Sequence, residues 1–162
     1  MSSEQSLLQQ LNIFRNSATI ILGIGSTLKG DDGAGPLVCQ KLKKVGICGD
    51  VLDAGTVPEN YIQKITGKAP HNLLIIDAID YGEKPGTIRL FRPDQLSSHV
   101  ISTHSLSPRL FVDMICQNID VDVYFVGIQP MQMQLGQPVS TPVKQAIEQL
   151  TEALIQIFPT SD

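Results

Sequence analysis

The sequence predicts an α/β fold in three layers: a twisted, mostly parallel five-stranded sheet with one antiparallel edge strand and helices on both faces. Apolar runs alternate along the chain with segments of helical periodicity, and this alternation is typical of βαβ units. The connection over residues 81–86 is too short for a crossover helix, so the strand after it is expected to run antiparallel at an edge. The candidate strands span residues 19–25, 51–54, 73–78, 87–91 and 121–128.

Helices are predicted from proline positions and apolar spacing. Residues 36–45 and 58–66 each begin with a proline and fit crossover helices, and a further helix is expected over 107–116. The last helix has the clearest pattern, because Ser140 or Thr141 can cap it and Pro142 lies in its first turn. Its apolar stripe, which we assign to the core, consists of Val143, Ala146, Ile147, Leu150, Leu154 and Ile157.

Length and composition limit the possible classes of protein. A chain of 162 residues, 42% of them hydrophobic, is long enough for one domain with a core. We expect residues 18–162 to form this α/β domain, and residues 1–17 to form a helical appendage with its helix over residues 3–14. The net charge of −4 and the absence of a large basic cluster argue against nucleic acid as a partner.

The location of the protein is predicted from its N-terminus and its cysteines. The first residues lack a secretory pattern, and no apolar run reaches the roughly eighteen residues of a membrane span. The three cysteines, Cys39, Cys48 and Cys116, contain no C-x-x-C pair, which argues against a disulfide framework and a thiolate zinc site. We therefore expect a cytoplasmic protein, away from membranes, whose cysteines are reduced and mostly buried. We also expect a monomer, although nothing in the sequence determines the oligomeric state.

A glycine-rich turn with two adjacent carboxylates directly follows the first predicted strand. Residues 23–36 read GIGSTLKGDDGAGP. A dinucleotide fingerprint would need glycine in place of Leu28, and a P-loop would continue with Lys and Ser/Thr where Asp31 and Asp32 stand. Two carboxylates would also repel phosphate. The turn is better suited to a cation or a proton, with the glycines allowing the backbone to turn tightly beside it.

Each carboxylate in this region also has a purely structural interpretation. Asp31 or Asp32 could cap the helix near Pro36; we favour that role for Asp31 and a functional role for Asp32. Asp77 ends a wholly apolar strand, where a carboxylate needs partners or a perturbed pKa. Asp53 ends the second strand, and a structural role there is as plausible as a functional one.

One histidine could join these carboxylates. His104 lies in an irregular stretch just ahead of a predicted helix, from which it could fold over the crevice at the carboxyl ends of the strands. Asp32, Asp77 and His104 would suit a borderline divalent metal such as zinc, nickel, manganese or iron. An aspartic dyad of Asp32 and Asp77 sharing one proton is the alternative. No serine or cysteine nucleophile has an evident base.

A series of short motifs, in order along the chain, resembles the hydrogenase maturation protease family. The motifs are GIG at 23–25, GDDGAG at 30–35, DAGT at 53–56, IIDA at 75–78, TH at 103–104 and GIQP at 127–130. The resemblance extends from Ile20 to the last helix. It implies an endopeptidase that removes a C-terminal extension from the precursor of a [NiFe]-hydrogenase large subunit after nickel insertion.

The resemblance also implies roles for individual residues. Asp32, Asp77 and His104 stand where the family has the residues thought to sense or bind the metal, so the two carboxylates are the expected catalytic groups. The metal is nickel carried by the substrate, although another divalent ion such as zinc could occupy the same site. The expected substrate-binding residues are Gly25, Ser26, Asp53 and Thr56.

Three questions stay open at this stage. Ser26 stands where the family commonly has Asn, and a hydroxyl cannot make all the hydrogen bonds of an amide. The segments 58–60 and 127–130 look most like the branch serving formate-hydrogenlyase or related energy-converting hydrogenases, with a coenzyme-F420-reducing hydrogenase as the alternative substrate. A non-catalytic, nickel-dependent chaperone for the large subunit is the alternative function.

Overall fold

The computed structural model describes residues 3–96 and 107–160, and in this part of the chain five strands form one sheet. The sheet has the order β2-β1-β3-β5-β4, in which β4 pairs antiparallel with β5 and every other pair is parallel. The predicted fold class and the antiparallel edge strand are therefore confirmed. The strands are β1 (Thr19–Ile24), β2 (Asp50–Gly55), β3 (Asn72–Ala78), β4 (Ile88–Phe91) and β5 (Asp122–Ile128).

Five α-helices in the described residues cover both faces of the sheet. They are α1 (Ser3–Leu11), α2 (Ala34–Val45), α3 (Ile62–Lys68), α4 (Pro108–Cys116) and α5 (Thr141–Ile157). Two separate apolar clusters fill the spaces between the layers. One joins α1, α2 and α5 to one face of the sheet, and the other joins α3 and α4 to the opposite face. The three-layer arrangement follows, because each amphipathic helix buries its apolar stripe against the sheet.

The predicted stripe of α5 lies entirely in the first cluster. The helix at the N-terminus also contributes to that cluster, through Leu7 and Leu11, and it contacts α5. The division of the chain into an appendage over residues 1–17 and a domain over residues 18–162 stays a prediction. No helix in the described residues is long and apolar enough to cross a membrane.

The cysteines are only partly where the sequence predicts them. All three are free, but Cys48 and Cys116 are exposed, so the prediction of mostly buried cysteines is wrong. Cys48 lies in the connection before the edge strand β2, and Cys116 is the last residue of α4, so neither reaches the layers of the core. Cys39 is buried in α2, and this burial raises the pKa of its thiol to about 12.

The order of the strands determines where a site can form. From β1 the chain moves to β2 on one side, and then crosses to β3 on the other side of β1. Such a reversal leaves a crevice at the carboxyl ends of the two strands that flank it, which is where open α/β sheets bind ligands. In this fold the crevice lies between β1 and β3, and both strands are buried along their whole length.

Candidate active site

Asp32 and Asp77 both lie at this crevice. Asp32 is in the 3-10 turn Gly30–Gly33 that follows β1, and this turn contacts β3. Asp77 is on β3 itself, one residue before its end. The start of α2 packs so closely on β3 that a Cβ atom on Gly35 would collide with the carbonyl oxygen of Ile76. The structure thus places both predicted aspartates at the carboxyl ends of the adjacent strands β1 and β3, and both residues are buried.

The Asp32 carboxylate is oriented by the turn in which it lies. The backbone N–H of Ser26 donates a hydrogen bond of 2.9 Å to its Oδ2. Gly25 makes this approach possible, because its φ of 141° is in a region that favours glycine and a Cβ there would collide with the carbonyl oxygen of Asp32. Gly25 therefore allows the backbone to turn tightly beside Asp32, which is the role that the sequence predicts for the glycines.

Ser26, the departure from the family pattern, makes three hydrogen bonds in this turn, one of them from the Lys29 N–H to its carbonyl. Its N–H donates to Asp32, and its Oγ accepts a bond of 3.2 Å from the N–H of Leu28. A backbone N–H is present whatever side chain the residue carries. The contact that Ser26 makes with the carboxylate therefore does not depend on having serine or asparagine at this position.

Asp31 has a different structural role from the one predicted. Its carboxylate accepts hydrogen bonds from the N–H groups of Met131, Gln132 and Ser140, and from the Ser140 hydroxyl, at 2.7 to 3.1 Å. The preferred interpretation of Asp31 as a cap of α2 is therefore wrong. Helix α2 begins at Ala34 with no side-chain cap, because the carboxylate faces the loop after β5 instead.

The Asp31 carboxylate also determines which hydrogen bond the Ser140 side chain makes. It occupies the N-cap position of α5, as the sequence predicts, but its side chain makes no capping bond to that helix. Its hydroxyl donates to Asp31 instead. The fully buried Asp31 carboxylate therefore fixes the entry to α5 against the turn that holds Asp32.

Strand β2, on the side of β1 away from β3, and the residue after it contain the predicted substrate-binding residues Asp53 and Thr56. Asp53 is half-buried and accepts hydrogen bonds from Gln40 Nε2 at 3.3 Å and from the N–H of Gly55 at 3.1 Å. The carbonyl of Gly55 accepts a bond of 2.8 Å from the Gly25 N–H, which ties β2 to the glycine turn. Thr56 is exposed beside them. A role for Asp53, Thr56, Gly25 or Ser26 in binding substrate stays a prediction.

A buried glutamine, Gln129, organises the loop that follows Asp77. Its Oε1 accepts hydrogen bonds from the N–H groups of Tyr81 and Glu83, and its Nε2 donates to Asp80. The sequence comparison includes Gln129 only as part of a motif, without a role. Its function here is structural, because one amide side chain fixes three positions of the turn after β3.

The third predicted metal-binding residue, His104, lies outside the described residues. Within the described residues, no group of three or more His, Cys, Asp or Glu side chains is arranged to hold a metal ion. Two carboxylates alone offer oxygen ligands, and an imidazole would be needed to complete the predicted set. The assignment of Asp32, Asp77 and His104 as ligands, and of the two carboxylates as catalytic groups, stays a prediction.

The fold and the two buried aspartates define a small α/β protein with acidic residues at a switch point of its sheet, and comparison with known proteins identifies its family. A model of the hydrogenase maturation protease family matches residues 36–157. The hydrogenase 3 maturation protease of Escherichia coli K12 is 36% identical over 138 residues, which cover 83% of this chain and 87% of that protein. The chain belongs to the hydrogenase maturation protease family, and it is a peptidase.

Solved structures agree with this assignment. The crystal structure of the [NiFe] hydrogenase maturation protease HycI from Thermococcus kodakarensis superposes with a TM-score of 0.83 at 30% identity, covering 92% of this chain and 97% of that one. The solution structure of the endopeptidase HycI from Escherichia coli gives a TM-score of 0.76 at 35% identity, covering 83% and 87%. These likenesses favour the peptidase over the non-catalytic chaperone that the sequence leaves open.

Proposed function

We propose that this peptidase removes the C-terminal extension of a [NiFe]-hydrogenase large-subunit precursor after nickel has been inserted. The observation that carries the proposal is the placement of Asp32, in the turn after β1, and of Asp77, near the end of the adjacent strand β3, at the switch point of the sheet. Both carboxylates are more than nine-tenths buried, with 2% and 7% exposure. A cation brought by the substrate would be attracted to two negative side chains at this point of low solvent exposure.

In this proposal the precursor's nickel is recognised by Asp32, Asp77 and His104. Two carboxylates and one imidazole suit a borderline divalent ion and leave positions for ligands from the precursor. The scissile peptide would then lie beside a water molecule that a carboxylate activates as general base or that the ion polarises. Nickel would be part of the substrate, and zinc or another divalent ion could take its place in vitro.

The same arrangement accounts for selectivity. A precursor without nickel would bring no positive charge to the two buried carboxylates, so it would bind weakly and stay uncut. A small protein that has no deep side-chain pocket can thereby distinguish nickel-loaded precursor from nickel-free precursor. The hydrogenase 3 protease relative favours a substrate of the corresponding type, with a coenzyme-F420-reducing hydrogenase as the alternative.

The test is cleavage of purified, nickel-loaded precursor, with the released peptide detected by mass spectrometry. We expect Asp32→Ala, Asp77→Ala and His104→Ala to fold normally and to lose about 100- to 10,000-fold of the cleavage rate, the range of general acid–base and ligand effects. Asp113→Ala is the matched control, because this carboxylate is exposed on α4, away from the crevice. Nickel-free precursor should stay intact with wild-type protein. Normal processing by all three variants would refute the site.

A further inference from the structure

We propose that a surface formed by Leu28, Met131 and Leu135 docks the folded body of the large-subunit precursor, beside the site that engages its nickel. This proposal rests on the proposed function and names the surface through which the partner binds. The three residues lie on two loops, 26–30 and 130–140, which pack against each other at the rim of the crevice. We refer to them as the rim surface.

The rim surface is the most exposed apolar feature among the described residues. Leu28, Met131 and Leu135 are 69%, 60% and 73% exposed, whereas each other exposed large hydrophobic residue in this part of the chain is at most 54% exposed. Single exposed apolar residues are common and need no explanation. Three of them on two adjoining loops beside an active site are instead typical of a protein-binding surface.

The rim surface rests on a rigid base. The Gly136 N–H donates a bond of 2.9 Å to the carbonyl of Leu28, and the Asp31 N–H donates one of 2.8 Å to the carbonyl of Gln132. The Asp31 carboxylate fixes the same loop with the hydrogen bonds described above. The fold therefore uses a fully buried carboxylate to hold these loops together, and it leaves their large apolar side chains in solvent. Binding to such a preformed surface loses little conformational entropy.

The rim surface is also connected directly to Asp32. Ser26 donates its N–H to the Asp32 carboxylate and accepts the Leu28 N–H on its Oγ. A partner docked on Leu28 is thus held at a fixed position relative to the carboxylate. Nickel is bound within the body of the precursor in the proposed function, so docking the body here would set the distance between the ion and Asp32.

The charge of the rim surface narrows the choice of partner. Residues 130–140 read PMQMQLGQPVS and contain no ionisable side chain in eleven positions. This loop offers amide groups and apolar side chains, and the loop 26–30 adds one exposed charge, Lys29, so the two loops suit a face of a folded protein that carries few charges. The extension, in contrast, must lie in the crevice with the scissile bond, at the carboxyl ends of β1 and β3.

The test measures binding and cleavage separately. We compare wild-type protein with a triple variant, Leu28→Ser, Met131→Ser and Leu135→Ser, and with a control variant, Ile13→Ser and Leu110→Ser, whose exposed residues lie on other elements. The Kd for nickel-loaded precursor should rise at least about tenfold in the triple variant, the effect of losing about 1.4 kcal/mol. The KM should rise in parallel with an unchanged kcat, and the control variant should match wild type.

Two results would overturn the docking surface. One is an unchanged Kd in a triple variant whose thermal unfolding shows that it is folded. The other is an equal loss of affinity for a synthetic peptide of the extension alone, since the surface would then bind the extension and not the body. Kd is measured without cleavage, so the two proposals can fail separately. A wild-type protein that binds the precursor but does not cut it would refute the proposed function. The Kd values of the triple and control variants would still decide whether the rim surface binds the precursor.

Discussion

Asp31 and Asp32 are adjacent in one turn, but different parts of the molecule donate hydrogen bonds to their carboxylates. Asp31 faces the loop after β5, where three backbone N–H groups and one hydroxyl donate to it. Asp32 faces the crevice, where the N–H of Ser26 orients it from within its own turn. Both side chains are almost completely buried, so burial alone does not distinguish a carboxylate with a structural role from one with a proposed catalytic role.

The difference lies in which segments supply the hydrogen bonds. The donors to Asp31 are about a hundred positions away in sequence, so this residue holds together distant parts of the fold. The Ser26 donor to Asp32 is six positions away, so that bond fixes the orientation of the carboxylate within one turn. We therefore expect substitution of Asp31 to affect mainly stability and substitution of Asp32 to affect mainly activity.

The largest expected effect comes from replacing each aspartate with asparagine. An amide at position 31 has one oxygen, so its NH2 group would face at least one of the N–H donors that now bind the two carboxylate oxygens. The free energy of unfolding should fall by about 2–3 kcal/mol, the cost of leaving a buried donor unsatisfied. Asp32→Asn can keep an oxygen on the Ser26 N–H, so its stability should change by less than about 1 kcal/mol.

Cleavage should show the reverse order. Asp32→Asn should lose about 100- to 10,000-fold of the rate, because an amide can neither act as a general base nor balance the charge of a cation. Asp31→Asn, measured at a temperature where it is fully folded, should stay within about tenfold of wild type. Urea unfolding and precursor cleavage on the same samples give both values. Equal losses of activity in the two variants would contradict the division of roles.

Gly25→Ala tests the backbone that supports Asp32. The new Cβ would meet the Asp32 carbonyl oxygen, at a φ of 141° that side chains rarely adopt. We expect a loss of about 2–3 kcal/mol of stability together with lower activity. Gly67→Ala is the matched control, because nothing lies within 4 Å of its Cβ position in α3. There the substitution should be neutral or stabilise by up to about 1 kcal/mol.

The smallest effect is expected for Ser26→Asn, which restores the residue common in the family. The N–H bond to Asp32 does not involve the side chain, and an asparagine oxygen can still accept the Leu28 N–H. The cleavage rate should therefore stay within about threefold of wild type, since an exchange of one partly exposed hydrogen bond is worth well under about 1 kcal/mol. A tenfold change in either direction would show that the side chain itself contacts the substrate.

The fold could be predicted from the sequence because its signals are local. The wholly apolar β3, the stripe of α5 and the short connection before β4 each specify one element without reference to the rest of the chain. Parallel strands with crossover helices then restrict the topology. The positions of Asp32 and Asp77 followed in the same way, since the carboxyl ends of adjacent parallel strands meet at one edge.

The role of Asp31 could not be predicted, because it depends on contacts between distant segments. Aspartate before a helix favours a cap on local grounds, and nothing near Asp31 in sequence indicates Met131, Gln132 or Ser140 as donors. The same holds for the side chain of Ser140: the residue occupies the predicted cap position, but its hydroxyl donates to a carboxylate 109 positions away. Hydrogen bonds between loops leave no periodic signal in the sequence.

The burial of Cys39 affects how the protein withstands oxidation. With its pKa raised to about 12, this residue remains a neutral thiol at physiological pH, whereas both metal binding and oxidation by peroxide require the thiolate. The helix that begins beside the two aspartates therefore carries a sulfur atom that neither competes for a soft metal ion nor is readily converted to a sulfenic acid. The protein can in this way keep a cysteine for packing without adding a redox liability to the helix that follows its two aspartates.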